Sequence, residues 1–568
     1  MNLQQGDLSM NRPELIFGLV GAVGTDLGNA TDVLETNLER VGYSVHKIRL
    51  SDEMRKFDSD GEPSDKTSEY ERIKSSMDKG DNIRKKINKK STVAGIGVAR
   101  IKEIRDDANK SKNDEQKPLY NTAFILNSLK RPEEIEYLKK IYGENFISIS
   151  VYCPEEKRIQ NLTRRIAKSE GTTNEDQFDK SAKDLMSRDQ EDESRPHGQN
   201  VRKSFPESDV FFAEGRSFND QILRFIDILF GRQFITPTKD EYAMFHAFAT
   251  ARRSADLSRQ VGAVIVSDEG HILSSGCNEV PKIGGGVFWE GHGDDKYDDR
   301  DFHREKDENA VFKVDIIDDM LRRLFNSGKL DNEIKKDDLR NTANNSLKGN
   351  EDGFLKGSEI SSLLEFGRIV HAEMFAITEA ARLGIKINKS DLYCTTFPCH
   401  NCARHIIACG IKRVIYIEPY PKSKAKKLYP YSICLEGDSK AEDDAVQFVP
   451  FVGISPKMYL KCFTAGPRKD SGGYTIPWNG KESNPIVGKD DFPWYRELEY
   501  AIIVSIWKEC KKGELEMKNE NSLIKKINEV YEEYQNWPEW KKCAFDLDEA
   551  EITEENNLEI ENNTQNTS

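Results

Sequence analysis

Leu15-Ile16-Phe17-Gly18-Leu19-Val20 is an unbroken apolar run, short and closed at once by glycine. Such a run predicts a strand covered on both faces. Val33, Leu34, Leu38 and Val41 then recur at helical spacing, and residues 43–50 form a second strand pattern. Further apolar runs at 123–127, 146–152 and 210–212 alternate with polar helical stretches such as 154–165. This alternation predicts a doubly wound α/β domain over residues 14–232. A second alternation starts near residue 238. Residues 240–255 have helical periodicity, and 261–266 and 271–275 form a hairpin across Ser267-Asp268-Glu269-Gly270. A helix from His371, a strand at 391–396, a helix from Cys399 stopped by Gly410 and a strand at 414–417 follow. Their order predicts a three-layer α/β/α domain with a mixed sheet over 238–440.

The remaining stretches are weaker in pattern. An insertion at about 284–365 opens on Gly284-Gly285-Gly286, turns acidic, and carries Val314, Ile317, Met320, Leu321 and Leu324 as one helix face. Residues 441–548 form a C-terminal extension with an edge strand at 448–452, a glycine- and proline-rich loop at 467–493 and a helix at 498–512. Residues 1–13 are expected to be flexible. The acidic, asparagine-rich tail 549–568 has too little apolar content to fold.

Composition adds limits. With 568 residues, 37% hydrophobic and 32% charged, the chain can build at least two ordinary cores. No apolar run approaches about 18 residues, so no membrane span is expected. The polar start lacks a secretory layout and points to the cytoplasm. Ten cysteines without a regular spacing are expected to be reduced. A net charge of −14 disfavours broad binding to nucleic-acid polymers but leaves small nucleotides open, since these need only a local basic pocket. The basic run Arg84-Lys85-Lys86-Ile87-Asn88-Lys89-Lys90 fits a solvated helix face, with phosphate or RNA contact as the alternative.

After the first strand comes Gly21-Ala22-Val23-Gly24-Thr25-Asp26-Leu27-Gly28. Strand, glycine-rich turn, helix and strand resemble P-loop nucleotide and nucleoside kinases. Ser51-Asp52-Glu53-Met54-Arg55 falls where such kinases place substrate-binding residues. Leu27 stands where the phosphate-binding lysine belongs and Gly28 where a hydroxyl would hold magnesium. Phosphoryl transfer is therefore not expected. Backbone amides around Gly21, Gly24 and Thr25 are nucleotide-binding candidates, with a purely structural remnant as the alternative.

The chemistry concentrates in His371-Ala372-Glu373 and Pro398-Cys399-His400-Asn401-Cys402. Cys399 and Cys402 at i and i+3 face one way on a helix, and a helix N-terminus favours thiolates. One imidazole and two thiolates suit Zn2+, one catalytic ion per chain, with the fourth tetrahedral corner open to water. Glu373 is the expected proton shuttle. A closed structural zinc is the alternative, but its usual second C-x-x-C is missing. Cys277, His292 and His303 are a further metal candidate, against which they read as solvated or core residues.

H-x-E followed by P-C-x-x-C resembles the cytidine and deoxycytidylate deaminase superfamily over about 238–440. Phe397, before Pro398, resembles the deoxycytidylate branch. Joined to a lysine-less P-loop-like domain, the arrangement is similar to the bacterial anti-phage dCTP/dCMP deaminases. That resemblance implies conversion of dCTP to dUTP and of dCMP to dUMP, inhibition by a small antitoxin RNA, and a homo-oligomer. It also implies that Asn278 contacts sugar and base, with turn duty as the alternative. Arg259, Lys422 and Lys424 are candidates for the phosphates. The competing activity is polynucleotide deamination with the first domain as adaptor. A non-enzymatic sensor is disfavoured by the intact Glu373.

Overall fold

The computed structural model describes residues 11–57, 68–110, 118–190, 197–215, 217–291, 297–330, 338–348, 353–355, 357–363, 366–418, 423–438, 444–488, 495–512, 522–538 and 542. The chain divides into two compact units. The first comprises 1–241, 418–420 and 452–568, the second 242–417 and 421–451.

The first unit is built on β1 (Leu15–Val20), β2 (Ser44–Arg49), β3 (Thr122–Leu129), β4 (Phe146–Tyr152) and β5 (Val210–Ala213). They run parallel in the order β5-β4-β1-β3-β2, with a short Gly453–Ile454 strand antiparallel outside β5. β1 lies inside this sheet and every one of its six residues is buried, as its apolar run requires. Leu15, Phe17 and Leu19 share a core with Ala30, Leu34 and Leu38 of the Leu27–Arg40 helix and with Ile222, Phe225 and Ile226 of the Phe218–Leu229 helix. β2 stops at Arg49 because Leu50 already begins the Leu50–Phe57 helix.

Three expectations change in this unit. Residues 11–13 are not loose: Arg12 is buried and donates to Val41 O at 2.9 Å and Gly42 O at 2.9 Å. The segment after 451 is not a separate extension but returns to the first unit. There the helices Tyr495–Lys512 and Ser522–Gln535 cover the Thr92–Lys110 helix, so closely that a Cβ on Gly95 would lie 2.4 Å from Ile506 Cδ1. Arg84 leaves the solvated basic run and turns inward to pair with Glu134 at 2.8 Å, while Lys85 and Lys86 stay exposed. The tail 549–568 and residues 1–10 lie outside the described residues.

The second unit holds β6 (Gly262–Val266), β7 (Ile272–Cys277), β8 (Asp391–Cys394), β9 (Arg413–Tyr416), β10 (Ile433–Leu435) and β11 (Val446–Pro450). Their order is β10-β11-β9-β8-β6-β7. β6 is antiparallel to both β7 and β8, and the pairs from β8 to β10 are parallel. Two glycines show how the layers close. A Cβ on Gly276 would stand 2.4 Å from Ala372 O and 2.4 Å from Ala376 N; one on Gly262 would stand 2.0 Å from Ala247 O. Gly276 faces Ala263 across the ladder, so Gly262 lies on the opposite face, and helices press directly on both sides of the sheet. The predicted edge strand at 448–452 is instead β11, two residues earlier and paired on both sides. Its alternating burial, with Val446, Phe448 and Pro450 inward, gives it a core face that an edge reading overlooked.

The insertion forms the helices Glu308–Asn326 and Leu339–Ser346 around Ile317, Leu321, Leu339 and Ala343. Met320 is exposed, so the apolar stripe is narrower than expected. Among the described residues no helix is long and apolar enough to cross a membrane, and nine cysteines are free thiols.

Candidate active site

His371 is the N-cap of the Ala372–Leu383 helix and Cys399 the N-cap of the His400–Ala408 helix. Both residues are extended just before their helices begin, so both thiols and the imidazole meet at two adjacent helix starts. Pro398 therefore precedes the cap and does not occupy the first turn. Phe397 anchors this approach: its ring packs edge-on against Tyr416 at 4.8 Å and tilted against Phe448 at 5.3 Å.

The ligand atoms of His371, Cys399 and Cys402 lie within 4.8 Å of one another. His371 Nδ1 is 3.3 Å from Cys399 Sγ and 3.5 Å from Cys402 Sγ. A tetrahedral zinc with ordinary bond lengths separates nitrogen from sulfur by roughly 3.5 Å, so this donor set fits the ion. Among the described residues no fourth His, Cys, Asp or Glu joins the group. The Cys399 thiol is lowered to about 4, chiefly by a hydrogen bond from Cys402 and then by His371. Its neighbour Cys402 is raised, by its bond to Cys399 and by burial. The bond to Cys399 likewise raises His371.

Glu373 sits in the first turn of the His371-capped helix, 3% exposed and outside the ligand group. Burial, then the neighbouring Cys399, pushes its carboxyl upward. A carboxyl so placed is suited to taking up and giving back a proton.

Asn278 follows β7 and is buried beside these helix starts. Its Oδ1 accepts from the Ala372 N–H at 3.0 Å, while its Nδ2 donates to Asp256 Oδ2 at 2.9 Å and Arg259 O at 3.1 Å. The amide thus ties the loop at 256–259 to the helix that carries His371. Asp256 was missed from the sequence, where it is one acid in a polar loop; only its spatial partner marks it. Arg259 contributes its backbone carbonyl here, and its side chain is exposed. Lys424 pairs with Glu359, and its neighbour Ser423 donates to Pro398 O at 3.0 Å, which brings that segment beside the Cys399 helix start. Lys422 lies outside the described residues.

The second metal candidate falls partly outside the described residues. His292 lies outside the described residues, Cys277 is buried with its thiol pushed up to about 11 by burial, and His303 stands 3.5 Å from Asp298. At the glycine-rich turn the Thr25 N–H bonds to Ala22 O at 3.0 Å. The neighbouring amides of Val23 and Asp26 donate to Asp189 and Glu214, both at 2.6 Å.

The cytidine and deoxycytidylate deaminase zinc-binding region matches over residues 237–418. ComE operon protein 2 of Bacillus subtilis (strain 168) is 38% identical over 65 residues, 11% of this chain and 31% of that protein. The deoxycytidylate deaminase of Enterobacteria phage T2 is 46% identical over 55 residues, 10% of this chain and 29% of that protein. The deoxycytidylate deaminase of Mus musculus is 27% identical over 177 residues, 31% of this chain and 63% of that protein. The chain spans about a third of the first two relatives and less than two thirds of the third. The family match spans the residues that form the His/Cys/Cys group.

Proposed function

We propose that the protein is a zinc-dependent hydrolase that deaminates deoxycytidine nucleotides, taking dCMP to dUMP and dCTP to dUTP. The observation that carries this reading is one imidazole and two thiols gathered at two helix starts, with a buried carboxyl beside them that is not a ligand. His371, Cys399 and Cys402 would hold the zinc ion, which supplies the Lewis acidity that activates water near neutral pH. Glu373 takes a proton from the attacking water and passes it to the pyrimidine ring nitrogen. It then takes the proton of the newly added hydroxyl and delivers it to the departing amine, as that carbon–oxygen bond becomes the carbonyl and the carbon–nitrogen bond breaks. Water is consumed, ammonia is released, and Glu373 ends as the carboxylate it began as. Asn278 orients base and sugar from beside His371, and Arg259, Lys422 and Lys424 supply positive charge to the phosphates. Three deoxycytidylate-type features support the substrate class: Phe397, the family match and the named relatives.

The wider role we assign is depletion of deoxycytidine nucleotides during phage infection. It includes restraint by a small antitoxin RNA, a homo-oligomeric assembly and a cytoplasmic location. The support for this part is the pairing of a zinc deaminase region with a lysine-less glycine-rich turn in one chain.

The test is incubation of the purified full chain with dCMP, dCTP, CTP and a cytosine-containing oligonucleotide, with products separated by chromatography. Conversion of dCMP and dCTP is expected. Conversion of the oligonucleotide alone would move the reading to polynucleotide editing. Glu373→Gln is expected to keep its zinc while turnover falls by about 10²–10⁴-fold; turnover near the parent value would remove the assigned role.

A further inference from the structure

The first unit contains a cavity of about 660 Å³, within the range that accepts one small-molecule ligand. It is bounded by the glycine-rich turn, the end of β2, and the helices Glu69–Ile87 and Glu155–Ser169. Lysine and arginine side chains outnumber carboxylates along its wall by seven to three, although the whole chain carries −14. Apolar groups, among them Ile48, Met54, Ile73 and Met77, line the same space. Cations beside apolar surface suit a phosphorylated molecule that also carries a flat ring.

The wall also holds buried polar atoms. Among the described residues, Thr25 Oγ1, Gln199 Oε1 and Arg84 Nε find no hydrogen-bond partner, in residues 8%, 8% and 2% exposed. Buried polar groups usually have partners, so three bordering one cavity give a bound molecule three places to bond. Together they offer a hydroxyl, an acceptor and a donor, which is the complement of a nucleoside.

The turn itself is already filled by the protein's own anions. Asp189 accepts from Val23 N–H and, at 2.9 Å, from Lys130 Nζ, which also donates to Gly21 O at 2.9 Å. Glu214 takes the Asp26 N–H. Leu27 folds over Gly21, where an added Cβ would meet it at 2.9 Å. A ligand phosphate therefore needs other partners. Asn161 bonds to Gly24 O at 2.9 Å, and one turn further along the same helix Arg164 and Arg165 border the cavity. Arg165 and Arg72 share one carboxylate, Glu69, and Arg164 pairs with Glu175 at 3.6 Å, so three cations face two carboxylates.

We propose that this cleft binds one nucleotide that is held and not turned over. Its phosphate is carried by Arg164 and Arg165, and its nucleoside completes the hydrogen bonds of Thr25, Arg84 and Gln199. None of these residues lies in the zinc-binding region, so the site and the deaminase reading stand or fall separately.

The test is equilibrium dialysis of the full chain carrying Glu373→Gln against the four deoxynucleoside monophosphates and triphosphates, with inorganic phosphate and thymidine as controls. It is repeated with Arg164→Ala and Arg165→Ala added, and separately with Thr25→Val. Both arginines are largely solvent-exposed, at 66% and 43%, so their removal leaves the core intact, with zinc content and melting temperature as controls. At least one nucleotide should bind and lose about tenfold or more in affinity in the double variant, with zinc content unchanged. Thr25→Val should weaken the same nucleotide. The proposal is overturned if no nucleotide binds more tightly than about 1 mM. It is equally overturned if every affinity survives the double replacement, or if inorganic phosphate binds as tightly as the best nucleotide.

Discussion

Glu373 and Asn278 are placed differently although both are buried at the same helix start. Glu373 has a carboxyl raised by burial and free of metal duty, which suits proton transfer. Asn278 has both ends of its amide engaged by protein: Ala372 N–H on the oxygen, Asp256 and Arg259 O on the nitrogen. Asp256 thereby fixes which way the amide points. Asp256→Ala should keep zinc but lower kcat/KM for dCMP by roughly 10–100-fold, the usual effect of losing a group that orients a site residue. Unchanged kinetics would mean that Asn278 holds its orientation without help. His371, Cys399, Cys402 and Glu373 were legible as residue types at fixed spacing. Asp256 was not, because its significance lies in a contact 22 residues away in sequence.

At the scale of elements, the site depends on how closely two helices are seated on one sheet. Gly276 permits this on β7, since any side chain there would collide with the backbone of the His371-capped helix. Gly276→Ala should shift that helix, lower stability by about 1–3 kcal/mol and weaken zinc binding, as measured by thermal unfolding and zinc titration. Full zinc affinity in this variant would show that the helix start adjusts on its own. Strands and helices of this region were legible from period and length. The inward place of β11 was not. Its five residues show an ordinary alternation that an edge or an inner strand can share, and only pairing with β9 and β10 decides between them.

At the scale of the molecule, the first unit is closed by sequence from the far end of the chain. Arg105 is buried and bonds Glu14 at 2.9 Å and Glu499 at 2.6 Å. Tyr495 donates to Glu14 at 2.6 Å, and Tyr142 to Glu499 at 2.8 Å. The Tyr495–Lys512 helix is thus tied to the start of β1 and to the Thr92–Lys110 helix. Arg105→Met would leave two buried carboxylates without a cation, at a cost of about 3–5 kcal/mol in unfolding. A melting temperature equal to the parent's would deny the cluster that role. Removal of the guanidinium should leave the zinc ligands intact, since they belong to the second unit.

Local order was written in the chain: the apolar run of β1, the helical spacing after the glycine-rich turn, and the metal donors with their neighbouring carboxyl. Each depends on residues a few positions apart, where period and spacing are set by backbone geometry. Other features came only with the folded chain: the return of the chain after 451 to the first unit, the inward turn of Arg84, the filling of the turn by Asp189 and Glu214, and the hold of Asp256 on Asn278. These are pairings of charges and amides across long sequence separations. Burial selects among many such partners, and it exists only once the units have closed.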